Sequence, residues 1–156
     1  MLTVLPYETL GDAVNALFYL MHKGIGDPLV TQLAQDIARN ADPIVAVHNW
    51  VRKNVHYTPD PGNDEFFTSP VRIAKNFYAG LSLQEDCDGM ALAVAGFLGS
   101  LEYRTRIVLV GYEIGDISHA YAEVYLPIQN TWLGVDPTSP YPVGFEIPPV
   151  EKITVE

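Results

Sequence analysis

The chain has 156 residues, enough for one domain with a real core, and 48% hydrophobic with 11% aromatic residues supports a packed globule. Nineteen acidic against nine basic residues leave a formal net charge of −10, which argues against nucleic acid and anionic membranes as partners. A single cysteine, Cys87, excludes an intrachain disulfide and suits a reducing compartment.

The start, "MLTVLPYETL", has no basic segment before an apolar one, so no secretion signal is read there. The longest apolar run, Met90 to Leu98, is too short to span a bilayer, and the expected location is cytoplasmic. Residues 8–21 carry Leu10, Val14, Leu17, Phe18 and Met21 near one helical face. Asp27-Pro28 and Asp42-Pro43 are helix starts, with Asp as cap and Pro at the first helical position. The first opens a helix to Arg39. The second opens one with Ile44, Val47, Trp50, Val51 and Val55 on one side, Trp50 being a core residue. Residues 56–68, "HYTPDPGNDEFFT", read as a loop, as do 79–85, "AGLSLQE". Ser69-Pro70 opens a shorter helix through about Phe77.

The helix that starts at Cys87 is apolar nearly all round and belongs at the centre of the domain. After Leu101 the texture becomes β-branched and aromatic, in strands over 104–114, 118–126 and 131–136. Helices first and antiparallel strands after is an α+β pattern. The last twenty residues are Pro-rich and end in a short strand, "KITVE"; the pattern assigns them no place.

Cys87 stands at a helix N-terminus, with Asp86 or Glu85 as cap. Unpaired N–H groups and the helix dipole there favour a thiolate. Asp86 and Asp88 oppose it, because like charges raise a thiol pKa. An activating histidine is therefore required. In the strand 118–126 the even positions Ala120, Ala122, Val124 and Leu126 face the core, which leaves His119, Tyr121, Glu123 and Tyr125 on the polar face. In the next strand Leu133 and Val135 face the core, with Trp132, Gly134 and Asp136 opposite. A hairpin with Leu126 across from Thr131 makes His119 diagonal to Asp136, within reach of a His–Asp hydrogen bond. A one-residue slip would bury Asp136 unpaired in the core. The pattern yields a nucleophile, Cys87, a base, His119, and an orienting carboxylate, Asp136. The Cys87 N–H is a natural oxyanion donor, and Gln84 and Tyr57 are candidates for the second.

Three blocks resemble a known family. "EDCDGMALAVAGFLGSLEYRTRIVLVG" is similar to the cysteine helix and first core strand of transglutaminase-like domains, which have the papain-like cysteine peptidase fold. "SHAYAEVYLP" resembles their histidine strand and "TWLGVDPT" their aspartate strand. "NWVRKNVHYTPD" and "DEFFTSPVRIA" resemble the segment before the cysteine in microbial members, and the likeness covers roughly residues 42–138 of a single domain spanning 1–156. It implies a Cys87–His119–Asp136 triad acting on a peptide or isopeptide amide, a protein or peptide substrate, and no cofactor. "CDGMALAVAGFL" is closest to members from phage and prophage gene clusters, so a virion-associated protein is implied if the chain is phage-encoded. Two departures stand out. "YRTRIV" replaces the usual Gly-containing turn, and Gly89 sits where a second acid is frequent.

Blander readings weigh against this. A lone cysteine beside an apolar helix is ordinarily structural, and an Asp before Pro is often a turn former. It is the conjunction of all three residues that carries the chemistry. His48 and His56 lie roughly on one helix face but lack further convergent ligands, so no metal site is read there. His22 reads as a helix C-terminal residue. The alternatives are a glutamine deamidase or transglutaminase, and a catalytically silent phage assembly module that keeps the fold. The oligomeric state has no signature in the sequence.

Overall fold

The protein was analysed as a computed structural model, which describes residues 4–6, 9–59 and 66–156. The "DPGNDE" part of the predicted loop therefore lies outside the described residues. A short strand β1 (Val4–Pro6) precedes α1 (Leu10–Gly24), α2 (Pro28–Ala38) and α3 (Pro43–Asn54). Then come β2 (Val55–Tyr57), β3 (Phe66–Thr68), α4 (Pro70–Tyr78), β4 (Leu83–Glu85) and α5 (Cys87–Ser100). Four strands follow: β5 (Thr105–Gly111), β6 (His119–Leu126), β7 (Thr131–Val135) and β8 (Glu151–Val155).

Each helix starts on a side-chain cap that takes up otherwise orphaned N–H groups. Asp27 Oδ1 accepts from Leu29 N and Val30 N, and Asp42 Oδ1 from Ile44 N and Val45 N. Thr9, Ser69 and Asp86 cap α1, α4 and α5. The Asp-Pro and Ser-Pro signals thus end up where their chemistry places them.

Helix α5 is buried on every side: each residue from Asp88 to Leu98 is buried. Helices α1 to α4 pack around it on one side, and β5 and β6 on the other. Trp50 of α3 sits edge-on to Phe97 of α5, with ring centroids 5.6 Å apart. Large side chains such as Leu92, Phe97 and Leu98 are fully buried, each stabilising by roughly 1.5–3 kcal/mol.

The main sheet is antiparallel, in the order β7-β6-β5-β8. The tail strand "KITVE" therefore pairs with β5, Val155 opposite Ile107. The two segments read as loops contain strands. β2 and β4 pair in parallel, His56 opposite Gln84, and β3 pairs with β1. Three-residue strands are too short to show an alternation in sequence, and their partners are remote in the chain. The outer face of β6 also differs from a polar surface: Tyr121 and Glu123 are buried. Val108, Val110 and Tyr121 form a small second apolar cluster there, and Glu123 is held by Arg106 and Lys152.

The turn after α5 explains the first departure from the family pattern. Glu102 N–H bonds the Gly99 carbonyl and Tyr103 N–H bonds the Leu98 carbonyl, which is a Schellman closure. Its left-handed position, ordinarily glycine, is taken by Glu102 at φ 71°. Replacing Glu102 by Gly relieves that strain. Thermal unfolding of Glu102→Gly is expected to show a gain of about 1 kcal/mol, a rise in Tm of roughly 2–4 °C.

Candidate active site

Cys87 is the first residue of α5, directly after its cap. Asp86 Oδ1 accepts from Gly89 N at 3.1 Å and so closes the first turn around the thiol. A Cβ on Gly89 would lie 2.8 Å from Glu85 Cβ and would meet its carboxylate. The place that an acid at position 89 would fill is thus already occupied by Glu85. That accounts for the second departure.

The β6–β7 hairpin has the register expected from its hydrophobic pattern, with Leu126 opposite Thr131 and Ala122 opposite Val135. His119 opens β6 and Asp136 follows β7. Their side chains meet: His119 Nε2–H donates to Asp136 Oδ2 at 2.8 Å. That bond leaves Nδ1 as the second ring nitrogen. Asp136 Oδ1 accepts from Thr138 N at 3.0 Å and Thr138 Oγ1 at 2.6 Å. Asp136 therefore forms the turn and holds the histidine at once. Burial works to raise its pKa, but the hydrogen bonds from His119 and Thr138 outweigh this and the carboxyl ends below its ordinary value.

Cys87 meets the same strand. The backbone of Ala120, the residue after His119, works to lower the thiol pKa, but burial, Asp88, Asp86 and Asp136 push it up to about 12. Left to solvent, Cys87 stays protonated at neutral pH. Its proton needs a base close by.

Two residues that sequence reasoning missed support Asp136 from behind. His48, 2% exposed, approaches the Asp136 carbonyl with Nε2 at 3.2 Å. Arg52, one turn further along α3, donates through Nη2 to the carbonyls of Ser139 and Tyr141, both at 2.6 Å. The (i, i+4) spacing of His48 and Arg52 was the available signal, but it does not name its target. His56 points elsewhere, exposed on β2, so the two histidines do not converge. Among the described residues no group of three or more His, Cys, Asp or Glu is placed to hold a metal ion. Gln84 and Tyr57 both sit exposed on the parallel β2–β4 pair that leads into Cys87. No helix of the described residues is long and apolar enough to cross a membrane.

A cysteine at the start of a buried helix, packed on an antiparallel sheet that carries a bonded His–Asp pair, defines the papain-like class of fold. The chain belongs to the transglutaminase-like superfamily, whose model matches residues 28–137. That match reaches back over α2, beyond the segment read as family-like from sequence. Among solved structures the chain is similar to a candidate cysteine protease from Cytophaga hutchinsonii, with a TM-score of 0.53 and 18% identity over 70% of this chain. It spans 36% of that structure's length. It is also similar to LapG of Legionella pneumophila, with a TM-score of 0.48 and 15% identity, over 96% of this chain and 79% of that one. No curated protein matches the chain in sequence.

The pKa of His48 lies below its ordinary 6.5, first because burial disfavours the cation and then because Arg52 repels it. Its contribution to stability is fully present above the unfolded value and is lost as pH falls below about 6.5. Glu146, considered below, runs the other way. Burial raises it to about 7, so its contribution is lost as pH rises from 4.5 towards 7. Melting temperatures at pH 7 and pH 5 separate the two. The deficit of His48→Gln relative to the parent should shrink at pH 5, whereas Glu146→Gln should gain on the parent between pH 5 and pH 7.

Proposed function

We propose that the protein is a thiol-dependent amide hydrolase or acyl transferase, with Cys87 as nucleophile, His119 as base and Asp136 as the group that orients it. The observation that carries this is the 2.8 Å His119–Asp136 hydrogen bond, at the start of the strand that packs against the helix begun by Cys87. The transglutaminase-like family and the papain-like fold support it.

In the first half-reaction Cys87 Sγ attacks the carbonyl carbon of a peptide or isopeptide amide. His119 Nδ1 takes the thiol proton as the sulfur–carbon bond forms. The tetrahedral oxyanion lies at the N-terminus of α5, where the Cys87 N–H and the helix dipole stabilise it. Collapse breaks the carbon–nitrogen bond, His119 returns the proton to the leaving amine, and a thioester remains. In the second half-reaction water attacks the thioester, His119 accepts its proton, and the acid leaves as the sulfur is reprotonated. An amine in place of water would give transfer.

The surroundings of Cys87 make the base indispensable. Burial and three carboxylates hold the thiol up, so only a proton acceptor already held in place gives a reactive sulfur near neutrality. Asp136 supplies that hold through Nε2.

Iodoacetamide should alkylate Cys87 at pH 6–7 faster than it alkylates a free cysteine. In His119→Ala the rate should fall at least tenfold, below that of the free thiol, since burial and the neighbouring carboxylates then outweigh the helix N-terminus and Ala120. Slow labelling that is indifferent to His119 would sink the proposal. Incorporation of a labelled primary amine into a glutamine-containing protein, lost in Cys87→Ala, would move the assignment from hydrolysis to transfer.

A further inference from the structure

An open cavity of about 230 Å³ lies beside His119 and Asp136, lined otherwise by Tyr112 and by the segment that follows β7. It is smaller than the pockets that hold whole small molecules and has room for a single side chain. Tyr112, Tyr141, Phe145 and Glu146 are among the residues that line it. The three rings are 39%, 50% and 43% exposed, which is a poor use of aromatic surface unless something covers it.

The walls are built rather than loose. Gly144 N–H bonds the Gly134 carbonyl at 2.9 Å, Arg52 holds the Tyr141 carbonyl, and the Tyr141 and Phe145 rings stand 4.1 Å apart. Glu146 lies flat on β7, where a Cβ on Gly134 would collide with its Oε1. That oxygen is buried and has no hydrogen-bond partner among the described residues.

The carboxylates of Asp136 and Glu123 oppose the charge of Glu146, while Tyr121 donates a hydrogen bond to it and His119, when protonated, is the cation acting on it among the described residues. Arg106 and Lys152 are both engaged by Glu123, at 2.6 Å each. The cavity therefore combines ring faces, which attract cations, with a carboxyl that lacks a counter-charge.

We propose that this cavity is a specificity pocket for a cationic side chain, lysine or arginine, of the polypeptide whose amide reaches Cys87. This rests on the reading of Cys87 as the nucleophile. Pocket and thiol share β6: His119 lines the first, and the helix that Cys87 begins packs against the same strand. An ammonium in the pocket stacks on the rings and supplies the charge that ionised Glu146 lacks. The carboxyl is raised to about 7 by burial and by Asp136 and Glu123, so the empty pocket is close to neutral and the occupied one is an ion pair.

Peptidyl α-ketoamides test this, because they add reversibly to a thiol and extend to both sides of it. The set has three residues on each side, all alanine except one position that carries lysine, norleucine or glutamate. Inhibition of Cys87 alkylation by iodoacetamide is read for each. At one position lysine should inhibit at least tenfold more strongly than norleucine, and glutamate more weakly than either. The lysine-to-norleucine ratio, taken within each variant, should collapse towards one in Glu146→Gln and fall in Tyr112→Leu. In the parent it should be larger at pH 8 than at pH 5, as Glu146 ionises. Lysine probes no better than norleucine at any position, or a preference that survives Glu146→Gln, overturn the pocket. If alkylation still depends on His119 in that case, the thiol chemistry stands without it. Labelling indifferent to His119 removes both.

Discussion

The site depends on one constraint: the β6–β7 hairpin can take only one register. Side chains alternate along a strand, so a slip of one residue would turn Leu133 and Val135 out to solvent and Asp136 into the core. Burying two aliphatic side chains and avoiding one stranded carboxylate sum to several kcal/mol in favour of the observed pairing. His119 and Asp136 are carried into hydrogen-bond contact as a consequence. The alignment of the His119–Asp136 pair is a by-product of hydrophobic patterning, and no separate device is needed for it.

The second support is α5. Its complete burial fixes the position of its first residue, since the helix cannot slide or rotate without emptying the core on all sides. Strand β6 lies against this helix and carries His119 and Ala120 at its start. One packed contact therefore sets the relation between sulfur and imidazole. The carboxylates nearby are the electrostatic cost of the arrangement. Asp86 caps the helix, Asp136 holds the histidine, and both work to raise the thiol pKa.

Much of this was legible in the sequence because the signals are local. Asp-Pro and Ser-Pro mark helix starts through capping chemistry that involves residues two or three apart. The unbroken apolar run after Cys87 marks a central helix, and alternation marks β6 and β7. The triad residues follow from these elements alone. The departures at Glu102 and Gly89 could be seen as departures, but their reasons lay in a left-handed turn and in the Glu85 side chain above the helix.

What the chain alone determined, then, is which elements form, which faces they bury and how neighbouring strands pair, since each rests on contacts between residues close in sequence. Tertiary structure decided the rest. The three-residue strands β1 to β4 exist only because remote partners meet. The outer face of β6, polar by pattern, becomes buried when the tail folds back and lays Glu146 on Gly134. His48 and Arg52 reach Asp136, Ser139 and Tyr141 across more than eighty residues. No period in the sequence encodes such contacts, because they arise from how packed layers come to rest against one another.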